Sequence, residues 1–449
     1  MANSYLNRTL GTSTNAYKGT VSHWIKRSGL GAMGTFAAWN NGGTSTERAY
    51  LNMHNDTIYF YDQANSVVVQ TNRVFRDTSA WYHIVVAWDT SQSTASDRVK
   101  IYVNGVQETS FANSDYPSQN STLQFNTSGR TFGVGCYAGS GAASGFFDGY
   151  ISHFAFVDGL QLTPTTFGST DATSGIWKFK PPSGVTWGTN GVHLKFENSG
   201  ALGTDSSGNT NTYTVNGNLK QALDTPSNVH ATLNPLDKSI AGTAPTISNG
   251  NNSYQSSGNG VGNNNAVRGT LGVSSGKWYW EAKYVNAYQT LWGMQDSDAS
   301  GLGWDSGGYW FGQTGSYGVN AGGTKTINGS TSSSFSAMSA GNIIGLAYDL
   351  DNGKFYVSVN GTFVTSGDPT SGATGTGAIG DIPTGKFYLP IVGNGDYGQQ
   401  SLTHFNFGNG FFGTTAITSA VSIGNGSLFE YDVPSGFYAL NTKNINTYG

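Results

Sequence analysis

Residues 81–107 carry two runs, WYHIVVAWDTS (81–91) and DRVKIYVNGVQ (97–107), that are rich in aromatic and β-branched side chains. In the second run apolar and polar residues alternate, which is the pattern of a β-strand with one buried face. This run contains Asn104-Gly105, a dipeptide that supplies the positive φ angles of a tight β-turn. The two runs therefore predict a pair of neighbouring strands.

Runs of the same kind extend over the whole chain and are separated by turn dipeptides. No long stretch shows an apolar repeat of 3.6 residues, the spacing of an amphipathic helix. Further strand-like runs are TIYFYD (57–62), YISHFAF (150–156), WYWEAKYV (278–285), IIGLAYDL (343–350) and KFYVSVNG (354–361). The sequence therefore predicts an all-β protein with antiparallel sheets.

The composition argues against several classes of protein. Charged residues make up only 11% of the 449 residues, but aromatic residues reach 13%, a content that disordered chains lack. The net charge is −4 and no stretch is basic, so we expect no nucleic-acid partner. The single cysteine, Cys136, cannot form a disulfide within the chain and is expected to be a small buried residue.

The sequence shows neither a basic-then-apolar leader nor an apolar run of about 18 residues. We therefore expect synthesis in the cytoplasm and no membrane insertion.

Residues 201–240 are dominated by Ser, Asn, Thr and Gly. We interpret this segment as an irregular connector. The strand-like runs on either side of it predict a β-sandwich in residues 1–200 and a second β-sandwich with a closing segment in residues 241–449. Each sandwich is long enough to bury its own core.

Three segments of the first half share the pattern of one family: KGTVSHWIKRSGL (18–30), the pair of runs in 81–107, and FFDGYISHFAFVDGLQLTP (146–164). They resemble the laminin-G and concanavalin-A-like jelly roll. The resemblance implies two packed antiparallel sheets, with Trp24 on the inner face as an anchor of the core. Because this fold has hosted lectins, glucanases and purely structural modules, the resemblance alone does not decide the function.

The same resemblance implies a candidate calcium site, because laminin-G modules often bind calcium at a loop rim. Asp89, Asp97 and Asp148 are the candidate oxygen ligands. No further cofactor is expected, because the H-x-H, H-E-x-x-H and C-x-x-C patterns of zinc sites do not occur. His23, His83 and His153 lie in strand runs and are interpreted as strand histidines with satisfied ring nitrogens.

The glucanase branch of the fold provides an alternative function, that of a glycan-degrading enzyme. Retaining glucanases carry E-x-D-x-x-E on one strand, which sets the carboxylates at the separation that double displacement needs. The glutamates of this chain, at 47, 108, 197, 281 and 430, are too far apart in sequence for that motif. The pair Asp349 and Asp351 is interpreted as a turn before the next strand. We therefore predict that the protein is not an enzyme.

The second half contains SGKWYWEAKY (275–284), GNIIGLAYDLDNGKFYVSVNG (341–361) and THFNFG (403–408). These segments resemble the SPRY (B30.2-like) domain, an interaction module that binds partners through loops at one end of a sandwich. Together with the closing VPSGFYALNTKNI (433–445), the two halves resemble virion structural proteins of marine tailed phages. The resemblance implies a fibre, decoration or adhesin-like component on the virion surface. It also implies a homo-oligomer that contacts other virion proteins.

Aromatic residues among Gly, Asp, Ser and Asn in residues 286–319 give the sequence-based candidate for a contact surface. Sugar binding uses Trp or Tyr faces that are flanked by polar side chains. Trp304, Asp305, Tyr309 and Tyr317 are the predicted contact residues, with host glycans as the candidate ligand. Packing inside the sandwich is the alternative for these rings. A purely architectural virion protein without a ligand is the third functional hypothesis.

Overall fold

The structure, a computed structural model, describes residues 4–238, 244–256, 266–286, 290–299, 314–394, 400–418, 421–423 and 426–449. The chain divides into two compact units, Met1–Gln221 and Ala222–Gly449. The regular secondary structure of both units consists almost entirely of antiparallel strands, so the predicted all-β fold class is confirmed.

The first unit is a sandwich of an eight-stranded and a six-stranded sheet. Its strands are β1 (Tyr5–Thr9), β2 (Lys18–Arg27), β3 (Met33–Trp39), β4 (Arg48–His54), β5 (Thr57–Asp62), β6 (Val67–Val74), β7 (Trp81–Asp89), β8 (Val99–Val103), β9 (Val106–Gln107), β10 (Phe111–Asp115), β11 (Thr131–Val134), β12 (Tyr137–Ala138), β13 (Ala143–Ser144), β14 (Gly149–Asp158), β15 (Gly168–Thr170), β16 (Trp177–Phe179), β17 (Val192–Leu194) and β18 (Thr214–Asn216). The 3₁₀ turns of this unit are Ala95–Asp97, Gln124–Asn126 and Pro164–Thr166.

The strand order is β10-β6-β5-β4-β3-β11-β1-β18 in the eight-stranded sheet and β17-β14-β2-β7-β8-β9 in the six-stranded sheet. The predicted strands 81–89 and 99–103 pair as β7 and β8, and Asn104 and Gly105 take positive φ at the turn. Alternate residues of both sheets point inward and form one continuous apolar core.

The inner tryptophan of the first unit is Trp88 and not Trp24. Strand β2 turns Ile25 into the core, so Trp24 lies on the opposite face of the sheet. There its ring stacks on His83 with ring centroids 4.7 Å apart. Trp88 is fully buried inside the sandwich. The expectation that Trp24 anchors the core is therefore wrong, because side chains change face at every residue of a strand.

Residues 201–240 do not form a separate connector. Tyr213 is buried in the core of the first unit, and the following strand β18 pairs with β1. Ala231 and Leu233 belong to the core of the second unit. The boundary between the units follows Gln221. Few aromatic residues mark this segment because short strands at a sheet edge bury few side chains.

The second unit contains a seven-stranded and a nine-stranded sheet. Its strands are β19 (Leu233–Lys238), β20 (Thr246–Ser248), β21 (Ser253–Gln255), β22 (Ala266–Gly269), β23 (Lys277–Tyr284), β24 (Thr290–Asp296), β25 (Ser316–Asn320), β26 (Thr324–Ile327), β27 (Ser330–Ser333), β28 (Ile343–Asp349), β29 (Lys354–Val359), β30 (Thr362–Phe363), β31 (Gly380–Asp381), β32 (Tyr388–Asn394), β33 (Leu402–Asn406), β34 (Phe411–Phe412), β35 (Thr415–Ala416), β36 (Val421–Ile423), β37 (Ser427–Phe429) and β38 (Tyr438–Ala439). The 3₁₀ turns are Val364–Ser366 and Pro369–Thr374, and the helix is α1 (Thr442–Tyr448).

The order in the second unit is β19-β22-β32-β24-β25-β26-β27 in one sheet and β20-β21-β33-β23-β28-β29-β30 in the other. Strand β31 joins the second sheet beside β29, and β38 pairs in parallel with β23.

The carboxylate of Asp349 accepts hydrogen bonds from the backbone N–H and the side-chain amide of Asn352, at 3.0 and 2.8 Å. The predicted turn at Asp349 and Asp351 is therefore confirmed.

Glu281 on β23 ties the closing part of the chain to the second sandwich. Its fully buried carboxylate accepts hydrogen bonds from the backbone N–H groups of Glu430 and Tyr431, both at 2.9 Å, and from Asn406 Nδ2 at 3.2 Å. Burial raises the pKa of Glu281 to about 7.

Within the part of the chain that the structure describes, no helix has the length and apolar character needed to cross a bilayer.

Candidate functional site

The outer face of the six-stranded sheet is covered by the chain itself. The hairpin of β15 and β16 lies there, and the Trp177 Nε1–H donates a hydrogen bond of 2.9 Å to His83 Nδ1. The Phe179 ring stacks on His153 with centroids 3.5 Å apart. These contacts occupy the surface that strands β2, β7 and β14 would otherwise expose. In the first unit, the sheet face that can receive a ligand is therefore the outer face of the eight-stranded sheet.

Strands β4 and β5 place three tyrosines on the outer face of the eight-stranded sheet. In their antiparallel register Tyr50 lies opposite Tyr61, and Tyr59 lies opposite Asn52. The residues between them, among them Leu51 and Phe60, are fully buried in the core. Because side chains alternate between the faces of a strand, burial of one set directs the tyrosines outward.

A fourth ring, that of Tyr137 on β12, completes a cluster that we call the tyrosine platform (Tyr50, Tyr59, Tyr61 and Tyr137). The Tyr50 centroid lies 4.9 Å from that of Tyr61, 5.4 Å from that of Tyr137 and 6.4 Å from that of Tyr59. The planes of Tyr59 and Tyr61 differ by 24°. All four rings are partly exposed. The platform therefore combines apolar ring surface with access for a ligand.

The hydroxyl groups of the platform are available for hydrogen bonding. Burial raises the pKa of Tyr50 to about 12, and burial together with the neighbouring Tyr61 and Asp115 raises the pKa of Tyr59. Within the described residues none of the four hydroxyls has a hydrogen-bond partner. Each can therefore donate one hydrogen bond to a ligand and accept others from it.

Polar side chains with fixed orientations surround the platform. The Arg48 guanidinium lies 5.7 Å from the centre of the Tyr50 ring, and it donates hydrogen bonds to Gln63 Oε1 at 3.0 Å and to the carbonyl of Ala138 at 3.1 Å. On the other side Asn113 Nδ2 donates to Gln70 Oε1 at 2.9 Å. Such fixed groups lose little conformational entropy when a ligand binds.

The hairpin of β12 and β13 is held directly against strand β3. Gly34 N–H donates to the Gly145 carbonyl at 2.8 Å, and Gly42 N–H donates to the Gly141 carbonyl at 2.9 Å. A Cβ atom at Gly34 would lie 1.9 Å from the backbone nitrogen of Tyr137, so only glycine permits this approach. The close contact fixes the position of the Tyr137 ring beside Tyr50.

The sequence-based contact residues do not form a site within the described chain. Trp304, Asp305 and Tyr309 lie outside the described residues. Tyr317 is only 4% exposed, and its ring packs edge-on against Tyr388 with centroids 5.8 Å apart. The prediction that Tyr317 contributes to a surface is wrong, because strand β25 directs it into the core of the second unit.

The three candidate calcium ligands do not come together, because Asp148 lies at the opposite end of β2 from Asp89. Asp89 pairs with Lys18 at 3.0 Å at one end of β2, and Asp97 pairs with Lys100 at 3.1 Å. Asp148 precedes β14 at the other end of β2, where Gly149 lies opposite Arg27. Among the residues that the structure describes, no three His, Cys, Asp or Glu side chains form a metal-binding group. These aspartates therefore do not form one shared calcium site.

The sequence analysis missed the tyrosine platform, although it identified TIYFYD as a strand. The signal was the alternation of Tyr59 and Tyr61 with Ile58 and Phe60. Two tyrosines on the polar side of a strand, next to a Tyr on the neighbouring strand, indicate an exposed aromatic face. Tyr50 could not be added without the register between β4 and β5.

Several solved structures resemble parts of the chain at low identity. The SPRY domain of human HERC1 is 14% identical, with a TM-score of 0.30, and the match covers 38% of this chain and 96% of that domain. A heptameric SAP-like pentraxin from Limulus polyphemus is 15% identical, with a TM-score of 0.31 and coverages of 41% and 82%.

A further similar structure is domain 4 of AbnA, a GH43 extracellular arabinanase from Geobacillus stearothermophilus, in complex with arabinotriose. It is 19% identical, with a TM-score of 0.25 and coverages of 35% and 68%. No curated protein matches the chain. Residues 2–166 match the family model described as the concanavalin A-like lectin/glucanases superfamily (Laminin_G_3), which confirms the resemblance that the sequence motifs indicated for the first half.

Proposed function

We propose that this chain is a non-enzymatic recognition protein that binds glycans on the tyrosine platform. The observation that supports this proposal is a cluster of four partly exposed tyrosines on an open sheet face, whose hydroxyls have no partner among the described residues. Ring carbons pack against the C–H faces of sugars, and the hydroxyls exchange hydrogen bonds with sugar hydroxyls. Arg48 and Gln70 supply further polar contacts at the border of the platform.

The chemistry of this face favours binding over hydrolysis. Glycoside hydrolysis requires two carboxyl groups on either side of the scissile bond. Of the described residues that the eight strands direct outward on this face, Asp115 is the single acid. A sugar chain on the platform would thus meet one carboxylate and several neutral hydrogen-bonding groups. This arrangement supports a lectin-like role.

We further propose that the protein is displayed on a phage virion, as a fibre, decoration or adhesin-like component. The support is the resemblance of the two halves and of the closing segment 433–445 to virion structural proteins of tailed phages. In this setting other virion proteins and further copies of the chain are its structural partners. Host-surface glycans are the proposed ligand of the platform. Repeated copies on a symmetric particle would strengthen weak glycan contacts through avidity.

A glycan array probed with the purified full chain tests the proposed function. We expect binding to a subset of polysaccharides and no release of reducing ends from them. Depolymerisation that a single Asp substitution abolishes would contradict the non-enzymatic role. Absence of binding on the array, together with stoichiometric incorporation into particles, would instead indicate an architectural protein.

A further inference from the structure

Two rows of outward-facing side chains cross strands β4, β5, β6 and β10, which are neighbours in this order in the eight-stranded sheet. The first, the aromatic row, follows the register of the four strands and consists of Tyr50, Tyr61, Val68 and Asp115. The Tyr137 ring continues this row beyond β4, because its centroid lies 5.4 Å from that of Tyr50. The row therefore begins with three aromatic rings and ends with a carboxylate at β10.

The second row lies two residues further along each strand and carries amide groups. This amide row consists of Asn52, Tyr59, Gln70 and Asn113. Asn113 Nδ2 donates to Gln70 Oε1 at 2.9 Å, and Gln70 Nε2 donates to Thr57 Oγ1 at 3.0 Å. The residues that separate the two rows on β4, β5 and β6 belong to the apolar core, so both rows face outward. The amides of Gln70 and Asn113 keep further hydrogen-bonding capacity for a ligand.

The two rows together form a band with the dimensions of a short sugar chain. Neighbouring strands lie about 4.8 Å apart, so the four strands span about 14 Å. The rows are separated by about 6.7 Å, the distance between positions two residues apart on a strand. Beyond β4 the hairpin of β12 and β13 lies on β3 and closes the band, whereas β10 is the edge of the sheet. Because a residue of an extended sugar chain is about as long as the strand spacing, the band has room for three residues.

The charges of the band restrict the class of sugar. Asp115 is the single formally charged residue of the two rows, and it lies at the β10 end. Arg48 borders the aromatic row at the opposite end, where its guanidinium already donates to Gln63 Oε1 and to the carbonyl of Ala138. Between these ends the band offers hydroxyl and amide groups, which exchange hydrogen bonds with neutral sugar hydroxyls. A chain with an acidic group on every residue would place one of them beside Asp115.

We propose that the band binds a neutral β-1,4-linked polysaccharide along its length, with three sugar residues lying across the strands from the β12–β13 hairpin to β10. This inference rests on the proposed glycan recognition and specifies its ligand class. Equatorial linkages keep such a chain extended, so successive residues reach successive strands. An α-1,4-linked chain curves and leaves the band. The sugar rings contact the aromatic row, and their hydroxyls contact the amide row.

The test is calorimetric titration of the full chain with oligomers of one to five residues. The probes are β-1,4-linked oligomers of glucose, xylose, mannose and N-acetylglucosamine. In at least one of these series we expect affinity to rise at least about tenfold from one to three residues and to change less than about twofold from four to five. The α-1,4-linked glucose oligomers, which contain the same sugar as the first series, are expected to bind more weakly than the extended series that binds.

Three results would overturn the proposal. The first is the absence of binding by every β-1,4-linked series. The second is equal affinity for one and three residues, or α-1,4-linked oligomers that bind as tightly as the extended ones. The third is tighter binding of β-1,4-linked glucuronate or mannuronate oligomers than of the neutral series, which would contradict the neutral ligand class.

The variant Asn113→Ala tests whether the chain reaches β10. We expect it to weaken binding of the trimer at least about fivefold, because one hydrogen bond to the third residue is lost, and to change binding of the dimer less than about twofold. Asn72→Ala is the matched control, since Asn72 is an exposed asparagine on β6 outside the band, whose amide donates to Ser110 Oγ at 2.9 Å. Unchanged affinity of Asn113→Ala for the trimer would contradict this placement. Circular dichroism monitors the folding of both variants.

The proposed function and this inference fail in different ways. If neither the array glycans nor the oligomers bind, glycan recognition itself is wrong. If array glycans bind and Tyr59→Ala/Tyr61→Ala abolishes this binding, the platform proposal stands. In that case, affinities that do not depend on chain length or on linkage show that the inference of an extended chain across the strands is wrong.

Discussion

Acidification from about pH 7 to about pH 4.5 is expected to unfold the first unit while the second unit remains folded. Four histidines of the first unit have strongly lowered pKa values, chiefly because they are buried. The pKa falls to about 3 for His23 and His83, and to about 4 for His153 and His193. Lys195 lowers the pKa of His193 further. The folded unit therefore resists protonation of all four rings.

The direction of the effect follows from proton binding. Between about pH 6.5, the ordinary pKa of histidine, and the lowered values, the unfolded chain binds protons that the folded unit excludes. The stability is fully present above pH 6.5 and is lost as the pH falls toward the folded pKa values. At about pH 4.5 each ring costs roughly 2–3 kcal/mol. Together the four approach the total stability of a typical domain, about 5–15 kcal/mol.

Glu281 gives the second unit the opposite dependence on pH. Its folded pKa of about 7 is above the ordinary value of a glutamate, so the folded unit binds the proton more tightly than the unfolded chain. Its contribution to stability is present below about pH 4.5 and is lost as the pH rises through about 7. Acid therefore favours folding at this position. His404 of the second unit also has a pKa that burial lowers, which acts against Glu281 in acid. We attribute the expected difference between the two units to the four histidines of the first unit and to Glu281.

Hydrogen exchange followed by mass spectrometry tests this expectation, because peptides of residues 4–221 and 222–449 report on each unit separately. His23→Leu is the control variant, because leucine cannot take up a proton and the variant is therefore expected to be less sensitive to acid. It breaks no hydrogen bond of the ring, since both ring nitrogens of His23 are buried without a partner within the described residues. The interpretation of His23 as satisfied was wrong, whereas that of His83 is confirmed by its contacts with Ser22 and Trp177. Equal acid sensitivity of both units would contradict the account.

Trp88→Ala is expected to lower the free energy of unfolding of the first unit by about 5 kcal/mol. The indole is fully buried, and its ring centroid lies 5.6 Å from that of Phe125 and 6.2 Å from that of Phe156. Its Nε1–H donates to Asn126 Oδ1 at 2.6 Å. The variant leaves a large cavity and removes the donor of that buried amide oxygen.

Urea denaturation of wild type, Trp88→Ala and Trp88→Phe measures this contribution. Trp88→Phe keeps part of the ring volume and loses the hydrogen bond, so we expect a smaller loss of about 2 kcal/mol. Gly19 explains why the site accepts a tryptophan, because a Cβ atom at Gly19 would lie 2.4 Å from the Trp88 ring. A loss below about 1 kcal/mol in Trp88→Ala would show that Trp88 is not central to the core.

Much of the fold could be predicted from local patterns. The runs 57–62, 81–89 and 278–285 became strands β5, β7 and β23, because period-two alternation and Asn-Gly turns are local properties of the chain. The assignment of Trp24 to the inner face failed, because a run such as HWI offers apolar side chains to both faces. The connector was misjudged because edge strands such as β18 carry a weak apolar signal.

The site was harder to predict than the fold, because it depends on which sheet face remains open. The segment 286–319 has the richest aromatic pattern of the sequence, yet Tyr317 is a core residue. The tyrosines of β4 and β5 are brought together by cross-strand register, and Tyr137 joins them only through a hairpin that folds back over β3. Such long-range placements are absent from local sequence patterns.

The most direct test of the tyrosine platform is calorimetric titration of an array-selected glycan into wild type, Tyr59→Ala/Tyr61→Ala and Tyr17→Ala. Tyr17 is a matched control, because it is 38% exposed and precedes β2 in the other sheet. Loss of two ring contacts is expected to weaken binding at least about 100-fold, at about tenfold per 1.4 kcal/mol. Tyr17→Ala is expected to bind as wild type does. Equal affinity of all three proteins would contradict glycan recognition on the platform.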